Sequence, residues 1–264
     1  MTQDKKLHCG FTTFGPRNPF LPVEVNLLEE DINGGYPERK QLIEGILHEG
    51  ENLMIGGDEY IGKSFMLMEL AQALVSGGTW MGSRVEQSNV LFMNTHLKVD
   101  ESYRRYMAIH RKLNVKNMKN YYVAHFLAED KESNEAFWKK FERIVDDLGV
   151  SKDDRKFTVI VDDIDGIGFH ASYEFIQGYR RLFCGNEPSL AFATCHFKDE
   201  EYVPDSVISI SPFRVTKDNR KRVTAEFGFR GFPPKPPMCG VFTYPVFNWK
   251  PAVNRGDGSY GFAE

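Results

Sequence analysis

The stretch Gly57-Asp58-Glu59-Tyr60-Ile61-Gly62-Lys63-Ser64 restricts the fold of this chain more than any other part of it. It fills the pattern G-x-x-x-x-G-K-[ST]. It stands between an apolar run, Asn52-Leu53-Met54-Ile55, and a segment from Gly62 to Ser76 whose Phe65, Met66, Met68, Leu70, Ala71, Ala73 and Leu74 repeat at helical spacing. A strand that passes into a helix through two glycines gathers backbone N–H groups and a helix N-terminus at one point, where positive partial charge collects. The pattern therefore predicts a cradle for nucleotide phosphates. The glycines let the backbone close on phosphate, Lys63 adds a full charge, and the Ser64 hydroxyl suits Mg²⁺. Gly57, Asp58, Glu59, Tyr60, Ile61, Gly62, Lys63, Ser64 and the following Phe65 form the expected binding set, with ATP and Mg²⁺ as ligands. Asp58 and Glu59 are odd members, tolerable beside a polyanion only if they face solvent.

The remaining chain supplies the sheet such a loop needs. Val90 to Asn94, Tyr121 to Phe126, Phe157 to Val161 and Leu190 to Thr194 read as strands. Between them, Asp100 to Leu113, Asn134 to Leu148 and Ser172 to Phe183 read as helices, and Gly77-Gly78 stops the helix after the loop. Strand and helix in alternation, with continuously apolar strands, predict an α/β fold: a mainly parallel sheet with helices on both faces. Val207 to Ile210, Phe213 to Val215 and Val223 to Phe227 add an antiparallel C-terminal edge around the basic turn Lys217 to Arg222. Residues 1–40 read as an irregular N-terminal arm, 41–231 as the core with its edge strands, and 232–264 as a Pro- and aromatic-rich tail. Tyr103, Tyr106 and Met107, beside Arg104 and Arg105, are assigned to the core rather than to a nucleic-acid surface.

Composition narrows the classes. With 41% hydrophobic and 27% charged residues the chain reads as an ordinary soluble globular protein, and no apolar run approaches the roughly 18 residues a membrane span needs. Met1 to Gly10 has no secretory apolar stretch, so the expected location is the cytoplasm, away from membranes. Cys9, Cys184, Cys195 and Cys239 show no C-x-x-C spacing and read as free thiols. The net charge of −4 leaves DNA binding open without supporting it. A second acidic element completes the chemistry: Val159-Ile160-Val161-Asp162 has the form of a buried strand ending in a metal-orienting carboxylate. Asp162 is the first choice as metal ligand with Ser64, and Asp163 and Asp165 are close alternatives.

On these residues the chain resembles the RepA-like branch of the RecA-fold P-loop ATPases, encoded largely by plasmids, phages and other mobile elements. The likeness runs through Gln41 to Leu47, the phosphate loop, Gly78-Thr79-Trp80-Met81-Gly82, Val90 to Asn94, Asp162, Cys195-His196 and Phe229-Arg230-Gly231-Phe232-Pro233-Pro234. It implies a RecA-like P-loop NTPase fold, Mg·ATP as ligand, and a homo-oligomer, with a hexameric ring as one form. It also implies an AAA-type role in DNA replication. The family usually follows the second strand with a glutamate that activates water, and the aligned residue here is His96. A neutral imidazole can accept a proton; Asp100, Glu101 and Asp163 are alternatives, and weak hydrolysis is the other reading. Asp163 can also place an attacking water. His196 reads either as a γ-phosphate sensor or as a strand-end histidine. Arg214, Arg220, Lys221, Arg222 and Arg230 either include a finger for a neighbour's nucleotide or form a solvated hairpin. The short, acidic Phe197 to Asp205 departs from the longer loop of the family and weakens the expectation of DNA translocation.

Overall fold

The computed structural model of the chain describes residues 39–116, 118–126, 134–149, 157–169, 172–183, 188–195, 204–212, 222–254 and 260–262. The chain divides into residues 1–39 and residues 40–264, and the architecture below belongs to the second unit. The N-terminal arm, Cys184, His196, Arg214, Arg220 and Lys221 lie outside the described residues, apart from Arg39 and Lys40 at the end of the arm.

A hairpin of β1 (Gln41–Ile43) and β2 (Leu47–His48) leads into β3 (Asn52–Gly57), every residue of which is buried. The chain continues through α1 (Lys63–Ser76), a small hairpin of β4 (Thr79–Trp80) and β5 (Ser83–Arg84), β6 (Asn89–Asn94), α2 (Val99–Leu113), β7 (Tyr121–His125), α3 (Asn134–Asp147), β8 (Phe157–Val161), α4 (Ser172–Phe183) and β9 (Ser189–Thr194). It closes with β10 (Ser206–Pro212), β11 (Arg222–Phe229), β12 (Met238–Thr243), β13 (Val246–Asn254) and β14 (Tyr260–Phe262). Ten strands form one sheet in the order β14-β13-β12-β11-β10-β3-β9-β8-β6-β7. Pairing is parallel from β10 through β3, β9, β8 and β6 to β7, and antiparallel from β10 out to β14.

The two-residue period of the strands sorts side chains into two cores. Leu53 and Ile55 of β3, Val90 and Phe92 of β6, and Ala191 and Ala193 of β9 face α1. Met54, Leu91, Met93, Val159, Val161, Leu190 and Phe192 face the aromatic layer from α3 and α4, with Phe137, Phe141, Phe175, Tyr179 and Phe183. The small alanines of β9 let α1 lie close over the middle of the sheet. On the other face the Tyr179 hydroxyl, buried, donates to the Pro188 carbonyl at 3.0 Å, so burying it leaves no polar group unmet. This is the α/β sandwich with helices on both faces that the strand-helix alternation implies.

Two regions differ from the sequence reading. From Met238 onward the Pro- and aromatic-rich segment forms β12, β13 and β14, so the antiparallel part of the sheet extends well past the three edge strands expected, of which Phe213 to Val215 lies outside the described residues. The stripe of α2 is also less buried than its periodicity suggests: Ile109 is buried, whereas Tyr103 is 64% exposed and Leu113 42%. Among the described residues β7 is the last strand of the sheet, and no further strand there extends the surface that the outer side of α2 would need.

Candidate nucleotide-binding site

β3 carries the phosphate loop to the C-terminal end of the parallel strands, where ligands of open α/β sheets sit. Packing dictates both glycines. A Cβ on Gly57 would fall 2.8 Å from the Ile210 carbonyl of β10, and Gly62 has φ 112° with its would-be Cβ 2.7 Å from the Phe247 ring. Ile61, buried in the core, pins the middle of the loop, while Tyr60 adopts a left-handed φ of 58° and stands 86% exposed. Asp58 and Glu59 are exposed, which lets solvent screen their charge.

Lys63 opens α1 and is buried. Its ammonium donates to the carbonyls of Gly57 (2.7 Å) and Asp58 (2.9 Å) and to Cys195 Sγ (3.1 Å). The positive charge is thus held inside the curve of the loop with all three donors used. Cys195 reaches this position from the end of β9, and burial pushes its thiol pKa up against the pull of Lys63.

Asp162 follows β8 and is 1% exposed. Its backbone N–H donates to the Met93 carbonyl at 3.0 Å, which locks the end of β8 to β6. Among the described residues neither carboxylate oxygen has a geometric hydrogen-bond partner. Burial pushes this carboxyl up; His96, the Ser64 hydroxyl, Arg105 and Lys63 pull it back. The Ser64 hydroxyl faces this carboxylate and favours its ionised form. His96 Nδ1 stands 3.9 Å from Asp162 Oδ2 with its side chain 38% exposed.

The neighbouring carboxylates do different work. Asp165, in a short 3-10 turn Asp165–Ile167, accepts from Thr194 Oγ1 at 3.2 Å and from the Cys195 N–H at 2.6 Å, tying the end of β8 to the end of β9. Asp163 Oδ1 accepts the Asp165 N–H at 2.9 Å, and its carbonyl accepts the Thr95 hydroxyl at 2.8 Å. Burial, and then Asp165, push the Asp163 carboxyl up to about 6. Donor atoms of Asp163, Asp165 and Cys195 lie within 4.8 Å of one another, but Asp165 is engaged and Cys195 already faces an ammonium. Asp162 is the carboxylate left open for a cation. A buried anion without a partner is costly, and a hard divalent ion with oxygen ligands is the partner this donor set fits.

The structure thus brings Lys63, Ser64, His96, Asp162 and Asp163 to one place. Phe65, the next residue of α1, packs its ring at 4.9 Å from Phe242 and 5.9 Å from Tyr244, with the Arg105 guanidinium 5.0 Å from its centre. Sequence reasoning passed over Arg105, Cys195 as a partner of Lys63, and the aromatic residues of β12 and β13. The alternation Val246-Phe247-Asn248-Trp249 after Thr243-Tyr244-Pro245 was a hairpin signal for the last group. Among the described residues no helix is long and apolar enough to cross a membrane.

The sequence profile described as AAA domain matches residues 19–164, more than half of the chain, from ahead of the phosphate loop to just past Asp162. Among solved structures, the fold is similar to that of a KaiC-like protein from the hyperthermophilic archaeon Pyrococcus horikoshii OT3. The TM-score is 0.55 at 12% identity, over 81% of this chain and 99% of that one. No curated protein matches the sequence.

Proposed function

Because the chain belongs to the AAA domain family, we propose that it binds Mg·ATP at this site and acts as an ATPase of the RepA-like type in replication or maintenance of a mobile element. The observation that carries the nucleotide half is Asp162, a carboxylate 1% exposed, beside the phosphate-loop serine and lysine, with no hydrogen bond to either oxygen found among the described residues. Ser64 and Asp162 would hold Mg²⁺, and Lys63 with the N–H groups of residues 57–64 would hold the phosphates. When bound, the ion supplies neutralisation of phosphate charge. The test is calorimetric titration of ATP with Mg²⁺ and with EDTA. Binding should need the metal in the wild type, and Asp162→Asn should remove that dependence. Equal affinity with and without metal in the wild type would overturn the metal assignment.

A second reading, a nucleotide-gated scaffold with little turnover, is favoured by His96 in the place aligned with a water-activating glutamate. Steady-state ATPase activity with and without single-stranded DNA separates the two. Background turnover in the wild type that His96→Glu raises by roughly 10²-fold or more, the low end of general-base effects, supports the scaffold. Turnover in the wild type that His96→Ala removes supports an ATPase with a histidine base. Assembly into a homo-oligomer belongs to the same proposal and is read by light scattering with and without Mg·ATP.

A further inference from the structure

We propose that Tyr244, at the tip of the β12–β13 hairpin, is the stacking surface for the base of the bound nucleotide; the assignment rests on the triphosphate reading above. The sheet order sets the direction of the ligand. β9, β8 and β6 lie on one side of β3 and bring Asp162, Asp163 and His96 to the loop, whereas β10, β11, β12 and β13 lie on the other side. Lys63 and the metal-binding groups draw the terminal phosphates toward the acidic side. The sugar and base then leave past the first turn of α1, where Phe65 stands.

The hairpin is fastened to the first two turns of α1 by two contacts of Phe247, one through its ring and one through its backbone. The Phe247 ring packs on the α-carbon of Gly62, so closely that a Cβ there would lie 2.7 Å from it. The Phe247 N–H donates to Glu69 Oε1 of α1 at 2.8 Å. Tyr244 therefore has a set position relative to the loop. Its ring meets Phe65 at 5.9 Å and 77° and Phe242 at 6.4 Å and 85°, perpendicular contacts rather than stacks, and the residue is 59% exposed. Phe65 is engaged by Arg105 and Phe242 and acts as the spacer behind Tyr244. An exposed tyrosine ring fixed beside a phosphate loop, on the side away from the carboxylates, suits a planar heteroaromatic base.

The experiment is calorimetric titration of Mg·ATP and of Mg·tripolyphosphate into the full chain as wild type, Tyr244→Ala and Tyr244→Phe. Tyr244→Ala should weaken ATP roughly five- to hundredfold, the range of base–aromatic stacking, and leave tripolyphosphate unchanged. Tyr244→Phe should keep ATP near the wild-type affinity. If Tyr244→Ala leaves ATP binding unchanged, or weakens both ligands equally, the stacking assignment is wrong although the phosphate site stands. If the wild type binds neither ligand, the nucleotide reading itself fails and this inference with it.

Discussion

On one side of the phosphate loop, β9, β8 and β6 deliver Asp162, Asp163, Asp165 and His96; on the other, β10 to β13 deliver Phe242, Tyr244 and Phe247. The acidic flank holds an unmet demand, since Asp162 is buried with no hydrogen-bond partner among the described residues. The aromatic flank is held by packing: Phe247 is 6% exposed, stacks on Trp249 at 5.3 Å, and gives its N–H to Glu69. A fold tolerates the first at a ligand site and relies on the second for stability. The contrast teaches that the loop is braced from the side that carries no charge chemistry.

Four substitutions test that division, the largest effect first. Phe247→Ala should lower unfolding free energy by about 3–5 kcal/mol, the cost of emptying an aromatic core site, read as a fall in the urea midpoint. A midpoint equal to the wild type would mean that the aromatic flank is not a brace. Lys63→Ala should cost Mg·ATP binding about 2–5 kcal/mol, as for loss of one member of a buried charged contact, measured by calorimetry. An unchanged affinity would remove the lysine from the site.

Glu69 sharpens the picture through pH. Burial raises its pKa from the ordinary 4.5 to about 8, against the pull of the Phe247 N–H. The unfolded chain releases this proton near pH 4.5 and the folded chain holds it to about 8, so across that window the folded state binds more protons. Stability is therefore greatest at the acid end and falls as pH rises, by at most ~1.4 kcal/mol per pH unit. Asp163 titrates near 6 with the same sign. Glu69→Gln should flatten the decline between about pH 6 and 8 in urea unfolding followed against pH; a slope identical to the wild type would show that Glu69 does not titrate there. Smallest is Tyr60→Gly, which relieves a left-handed φ at a side chain exposed to solvent. It should shift stability by under about 1 kcal/mol and leave tripolyphosphate affinity intact, as expected if this lip contributes backbone alone. Marked loss of that affinity would give the Tyr60 side chain a role in binding.

Much of the parallel half was legible because its central strands β3, β6, β8 and β9 are buried on both faces and read as unbroken apolar runs. The antiparallel half was harder to read. Phe242, Phe247 and Trp249 sit among prolines and glycines that resemble a tail, and their strand character comes from the pairing of β12 with β13, with Tyr244 in the turn between them. The α2 stripe shows a related failure: periodicity names the side of a helix that wants a neighbour, but Tyr103 of α2 stands 64% exposed, with none among the described residues to bury it. At the site, Asp162 was visible as the end of an apolar strand. That Asp165 would be used to tie two strands together was not visible.

The sequence by itself determined the phosphate loop, the strand and helix around it, and the lysine, serine and aspartate of the site, because these follow from local backbone geometry and short-range pattern. Tertiary structure alone decided which carboxylate stays open, that His96 comes within 3.9 Å of Asp162, that Lys63 meets Cys195, and that an aromatic hairpin flanks the loop. Each of those depends on strands distant in the chain becoming neighbours in the sheet. Hydrogen bonding and ring packing across them are set by sheet order, which no single segment encodes.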